Sequence, residues 1–178
     1  FALDRAGLVG DDGPTHNGPF DIAYLRAIPN IAIMIPKDEN ELQHMLYTAT
    51  FVNGPSSVRF PRGAGIGILL DSEFRKLEVG KGELLREGND LLILGVGPIL
   101  YDAMQAVDEL KVNAAIITAR FAKPLDKELI IKYAQNIRKI ITLEEGIING
   151  GFGSAVLELL EDNGIKANVK RIGVPDEF

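Results

Sequence analysis

The sequence predicts an α/β protein: a strand–helix–strand unit followed by a doubly wound domain of about 100 residues, each built on parallel strands. Three observations predict it. The Ile-rich run "NIAIMI" is short and continuously apolar, as a strand buried on both faces requires. It is followed at once by an amphipathic stretch and a second short strand. Beyond residue 77 the same alternation of apolar runs and helical patterns resumes and continues to the C-terminus, punctuated by Gly and Pro.

Each element follows from local chemistry. A strand ends near Leu3, and "FALDRAGLVGDDGPTHNG" is the long loop behind it. "NIAIMI" is the next strand. "PKDENELQHMLYTATFV" opens with Pro36 and Asp38, carries acids in its first turn and places Leu42, Met45, Leu46, Ala49 and Val52 at helical spacing. Asn53, Gly54 and Pro55 stop it, and "SSVRF" is the following strand before Pro61. "ILLDSEFRKLE" has no strong period and is the expected linker, which puts the domains at 1–75 and 76–178. In the second, "VGKGELLREGND" predicts a strand and a turn at 87–89, and "LLILGVG" a buried strand. "PILYDAMQAVDEL" is a helix with Ala103, Ala106, Val107 and Leu110 inward. "AAIIT", "KIITLEE" and "NVKRIGV" are strands, and "DKELIIKYAQN" and "GSAVLELLEDNG" are helices.

Composition excludes several functions. A net charge of −6 with Lys and Arg scattered among acids does not make a nucleic-acid surface. With no cysteine there is no thiolate metal site, disulfide or Cys nucleophile. No apolar run reaches the roughly 18 residues of a membrane span, and the N-terminal residues lack a signal-peptide pattern, so a soluble intracellular protein is expected. The opening "FALDRAG", without Met, has the look of a piece of a longer chain.

In open parallel sheets ligands bind beyond the carboxyl ends of the strands. The loop at 4–18 lies there and is longer than ordinary βα connections. Its His16 is suited to acid–base work near neutral pH, and Asp12 can accept a hydrogen bond from a hydroxyl. The alternative is a solvated loop in which His16 caps a turn. Arg5 in "DRAG" and Arg62 in "FPRG" each follow a strand, so both guanidinium groups are expected on the His16 edge, where a pair can hold a phosphate or carboxylate. Their plainer reading is a pair of surface arginines. His44, on the polar flank of its helix, reads as a surface residue, and Arg59 has no assigned role. "GVGP" at 95–98 and "GIINGGFGS" at 146–154 do not fit GxGxxG and predict close packing rather than a nucleotide site. "LEEG" at 143–146 reads as a turn or an interface acid pair.

"DRAGLVGDDGPTHNGPFDIAYLRAIPNIAIMIPKDENELQHMLYTA", "GPSSVRFPRG", "RFAKPLD" and "GGFGSAV" together closely resemble the C-terminal half of the 1-deoxy-D-xylulose-5-phosphate synthase family, thiamine diphosphate enzymes related to transketolase. The resemblance implies the later part of a transketolase-like pyrimidine-binding domain at 1–75 and a transketolase C-terminal domain at 76–178. It implies decarboxylation of pyruvate and its condensation with glyceraldehyde 3-phosphate, toward isoprenoid precursors, thiamine and pyridoxal. Residue by residue, His16 matches the active-site His, Asp12 an acid that bonds the acceptor's hydroxyl, and Arg5 and Arg62 the groups holding the acceptor's phosphate or the donor's carboxylate. Thiamine diphosphate and Mg²⁺ are implied as cofactors, held by segments before Phe1, so that the chain alone is expected to be inactive. A homodimer in the bacterial cytoplasm or plastid stroma is also implied. A transketolase, a 2-oxoacid dehydrogenase E1 β-type subunit and a non-catalytic dimerisation fragment share this layout.

Overall fold

The computed structural model describes residues 1–10 and 13–177, and places the strands in two sheets that share an apolar core. The first sheet begins with β1 (Ala2–Leu3), β2 (Ala32–Met34) and β3 (Ser56–Arg59). β3 lies between the other two and is parallel to both, with Leu3 opposite Arg59 and Met34 opposite Val58. Between β1 and β2 the chain forms a 3-10 turn at Pro14–His16 and the short helix α1 (Asp21–Arg26), neither of which has a clear sequence period. The helix α2 (Glu39–Ala49) links β2 to β3, as its amphipathic pattern predicts. Asp38 caps it, accepting from Glu41 N at 2.7 Å, while the Glu41 carboxylate accepts from Lys37 N at 2.8 Å, so that the orphan amides of the first turn are met reciprocally.

The second sheet holds β4 (Glu83–Arg86), β5 (Leu91–Gly95), β6 (Ala114–Thr118), β8 (Lys139–Ile147) and β9 (Asn168–Val174) in the order β4-β6-β5-β8-β9, and the three-residue strand β7 (Phe121–Lys123) leaves it. The four central and C-terminal strands are parallel and doubly wound, with the order reversing at β5. β4 pairs antiparallel with β6, not with the β5 that follows it. The helices are α3 (Ile99–Leu110), α4 (Lys127–Ala134) and α5 (Phe152–Asp162). β7 joins the first sheet instead, antiparallel to β2, with Ile33 opposite Lys123. Ile33 and Ile35 of the first unit pack in one apolar cluster with Leu92, Leu94 and Phe152 of the second. A shared strand and a shared core tie the two units together.

Three local expectations are corrected. His44 is buried, only 3% exposed, because the connection at 66–77 runs along α2 and takes its hydrogen bonds from that helix. Asn40, His44 and Thr48, spaced four apart on one face, accept from the backbone amides of Asp71 (2.8 Å), Arg75 (3.1 Å) and Leu77 (2.8 Å). The amide at Nδ1 leaves the His44 proton on Nε2, which donates to Asp71 at 2.8 Å. Ala106 and Leu110 of α3 face outward, Leu110 being 74% exposed, because Leu100 and Val107 fill the space against the sheet. The outer residues line an apolar groove of about 310 Å³ with Leu91, Ile141 and Ile172. "LEEG" lies within β8 and is not a turn.

Candidate functional site

β1 and β3 run side by side, so the loops that leave their carboxyl ends emerge together. Ala6 N donates to Phe60 O at 3.0 Å, which sets the segment carrying Arg5 beside the one carrying Arg62. The 3-10 turn returns to the same place. Gly7 and Gly18 exchange backbone hydrogen bonds of 3.1 and 3.0 Å, and a Cβ on Gly18 would stand 2.5 Å from Arg5 O. Only glycine permits that approach. His16, two residues before it, is exposed, with Nδ1 3.1 Å from Thr15 Oγ1. The structure therefore brings the segments bearing His16, Arg5 and Arg62 to one edge of the first sheet. Asp12 lies outside the described residues.

Arg5 has a φ of 58°, in the left-handed region that a long side chain seldom occupies. Its Nε is 3.9 Å from Asp4 Oδ2. Arg62 borders a cavity of about 460 Å³ together with Asp4, Lys37, Phe60, Ile66 and Pro98. Phe60 and Ile66 give this cavity apolar walls, and Asp4, Asp38 and Glu39 line it together with Lys37 and Arg62, so it carries both signs of charge. Small-molecule sites combine apolar walls with placed polar groups, and here Lys37 and Arg62 are the cations on that wall.

Arg59, to which the sequence assigns no role, is buried at 2% exposure and is bonded to three segments near the site. Its Nε donates to Asp21 Oδ1 and Oδ2 at 2.8 and 2.7 Å, and its Nη2 to Gly18 O and Glu145 O at 2.9 and 2.8 Å. A sequence signal existed: a charge inside the central strand of a parallel sheet is enclosed on both sides and must find a partner. Which partner could not be read, because Asp21 and Glu145 are distant in the chain.

The glycine-rich turns are explained by packing, as expected. A Cβ on Gly95 would lie 2.6 Å from Leu100 Cδ2, and Gly97 has a φ of 86°. At the start of α5, the amides of Phe152 and Gly153 donate to the Glu144 carboxylate at 2.7 and 2.8 Å. That helix N-terminus already holds an anion of its own chain. Burial pushes the Glu144 carboxyl up despite these bonds. Glu145 is also pushed up, first by burial and further by Asp102, against the pull of Arg59. A carboxyl raised in the folded state contributes most below its unfolded value, and that contribution is lost as pH rises through the folded value. Glu145→Gln is therefore expected to raise the thermal midpoint at pH 7, with the gain over the parent growing across that interval and level above it. Thermal unfolding from pH 4 to 8 checks this, and a lower midpoint at pH 7 contradicts it.

Among the described residues no group of three or more His, Cys, Asp or Glu side chains is placed to hold a metal ion, and no helix is long and apolar enough to cross a membrane. Residues 80–178 match the transketolase C-terminal domain and residues 1–66 the transketolase pyrimidine-binding domain. The 1-deoxy-D-xylulose-5-phosphate synthase of Heliobacterium modesticaldum is 55% identical over 181 residues, covering 100% of this chain and 28% of that protein. Those of Syntrophus aciditrophicus and Geobacter sulfurreducens are 54% and 53% identical, covering 100% of this chain and 28% and 29% of theirs. The chain thus spans under a third of the length of these curated relatives. Among solved structures, a split-gene transketolase described as an inactive β4 tetramer superposes with a TM-score of 0.87 at 29% identity, covering 98% of this chain and 57% of that one. The transketolase of Campylobacter jejuni superposes at 0.68 and 18% identity, covering 100% and 27%, and shares the fold.

Proposed function

Because the chain belongs to the transketolase family, with a C-terminal domain of that family over 80–178, we propose that it is the C-terminal part of a 1-deoxy-D-xylulose-5-phosphate synthase. The observation that carries the proposal is identity of 52–55% to synthases of that name along the whole chain. The enzyme it completes condenses pyruvate with glyceraldehyde 3-phosphate, with loss of CO₂, at the head of isoprenoid-precursor, thiamine and pyridoxal synthesis. It acts as a homodimer in the bacterial cytoplasm.

Thiamine diphosphate supplies the electron sink for the decarboxylation when bound. The described residues do not fit the Mg²⁺ that accompanies its diphosphate, since they bring together no cluster of carboxylates or imidazoles. That group is assigned to other parts of the enzyme. What this chain contributes is positioning and proton transfer. His16 moves a proton to and from the reacting oxygen, and Asp12 accepts a hydrogen bond from the acceptor's hydroxyl. Arg5 and Arg62 hold the acceptor's phosphate or the donor's carboxylate. The strained φ of Arg5 supports a role for it, because such conformations persist only where the surrounding structure over-determines them and they cluster at functional sites. The cavity beside Arg62 supports a place for the phosphorylated end.

The experiment is turnover by the full-length enzyme containing this chain. CO₂ release from pyruvate that depends on glyceraldehyde 3-phosphate is expected, whereas ketol transfer without CO₂ would make it a transketolase. In the same assay Arg62→Ala is expected to raise the acceptor KM about tenfold or more with little change in kcat, since a phosphate contact made equally in ground and transition states is uniform binding. An unchanged KM would remove Arg62 from the site.

A further inference from the structure

We propose that Arg59 is a positioning residue for the reaction, holding the His16 turn in place by gripping the Gly18 carbonyl while its other bonds anchor it to Asp21 and, across the boundary between the two sheets, to Glu145 O. The inference rests on the catalytic reading of His16 given above.

The geometry starts from a charge that is expensive to bury. Arg59 sits in the central strand of the first sheet with its side chain removed from water, and so does its partner Asp21. A buried ion pair of this kind adds little net stability over a well-packed apolar pair. Its bonds instead join three parts of the chain that lie far apart in sequence. Asp21 begins α1 and also accepts from Ile22 N at 2.9 Å. Gly18 O belongs to the segment that follows His16, and Glu145 O to β8 of the second sheet. One planar guanidinium therefore registers β3, the end of the His16 turn and the second sheet against one another. A fork of rigid donors suits this task as a flexible ammonium does not.

Other contacts hold the same end of the turn. Gly18 is pressed on the Arg5 backbone and paired with Gly7, and Ile147 N donates to Pro19 O at 2.7 Å. Among the described residues His16 itself has a backbone bond to Gly13 O at 3.2 Å and the contact with Thr15 Oγ1, both within its own turn. Its position relative to the sheet is thus set by the residues that follow it, Asn17, which accepts from Val9 N at 2.5 Å, and Gly18, whose carbonyl Arg59 grips. Releasing Gly18 O lets the imidazole drift, and a displacement of about 1 Å in such a group can cost on the order of 10²-fold in rate.

The test uses the full-length enzyme with pyruvate and glyceraldehyde 3-phosphate. Arg59→Met is paired with Asp21→Asn so that no lone charge is left buried, and Arg59→Lys is made as the conservative variant. The paired variant is expected to keep its thermal midpoint within a few degrees and lose kcat by about 10²-fold, with KM for pyruvate little changed. Arg59→Lys is expected to fall between it and the parent. In a His16→Ala background the paired change is expected to cost nothing further, because both act through one group. Parental kcat in a folded paired variant, or an undiminished loss in the His16→Ala background, overturns the proposal. Should the paired variant fail to fold, Arg59→Lys decides by the same two comparisons. A His16→Ala enzyme with parental kcat refutes the catalytic reading of His16, an outcome distinct from a slow His16→Ala enzyme whose Arg59 variants are unimpaired.

Discussion

Replacing His16 by alanine is expected to lower kcat by about 10²- to 10⁴-fold, the usual worth of a side chain that transfers a proton in the transition state. The structure favours a clean result. His16 is exposed, and its side-chain contact is with the neighbouring Thr15, so its removal opens no cavity and strands no buried donor. The turn is held by Gly7, Gly18 and Arg59 rather than by the imidazole. Unfolding midpoints of variant and parent should therefore agree while kcat does not. Because the reading places the proton transfer in the chemical step, KM for both substrates is expected to move much less than kcat. A variant that turns over within threefold of the parent would return the loop to the plainer reading, a solvated turn capped by His16.

The second large effect is on stability. Asp21→Ala is expected to destabilise the chain by about 3–5 kcal/mol, because it leaves the Arg59 guanidinium buried without its hydrogen-bonded carboxylate. Removing the charge from both partners should restore much of this loss, since desolvation is then no longer owed for an unpaired ion. Urea unfolding of the single and paired variants checks both statements, and a single variant within about 1 kcal/mol of the parent would mean that water reaches the pair. The contrast with the surface pairs is instructive. Lys81 with Glu128, at 2.7 Å, and Arg86 with Asp108 are solvated, and such pairs are typically worth no more than about 1 kcal/mol.

The elements legible in the sequence were those whose cause is local. The apolar run at β2, the capped amphipathic α2 and the alternation through the second sheet all follow from side-chain periodicity and from turn residues that stop a helix or strand. β7 was not legible: three residues, "FAK", carry no period, and they are a strand only because β2 offers an edge to pair with. α1 is too short to show its face. The burial of His44 likewise came from outside its helix, from a connection that needed acceptors for its own amides. For α3 the apolar stripe was plain, but which half of it met the sheet depended on the space Leu100 and Val107 could fill.

The candidate site divides in the same way. Residue type and position past a strand end were enough to single out His16, Arg5 and Arg62, since a parallel sheet directs its loops to one edge whatever lies around it. The nearness of their segments, the pinning of Gly18 and the part played by Arg59 required the tertiary structure. By itself the sequence determined the strands, helices and loops and their order, because hydrophobic period, capping and turn chemistry act over a few residues. Only the folded chain decided that a charge in a central strand would reach Asp21, 38 positions away, and Glu145 O, 86 positions away. A buried guanidinium takes whichever oxygens the packing brings within reach, and that depends on contacts between segments which no local pattern records.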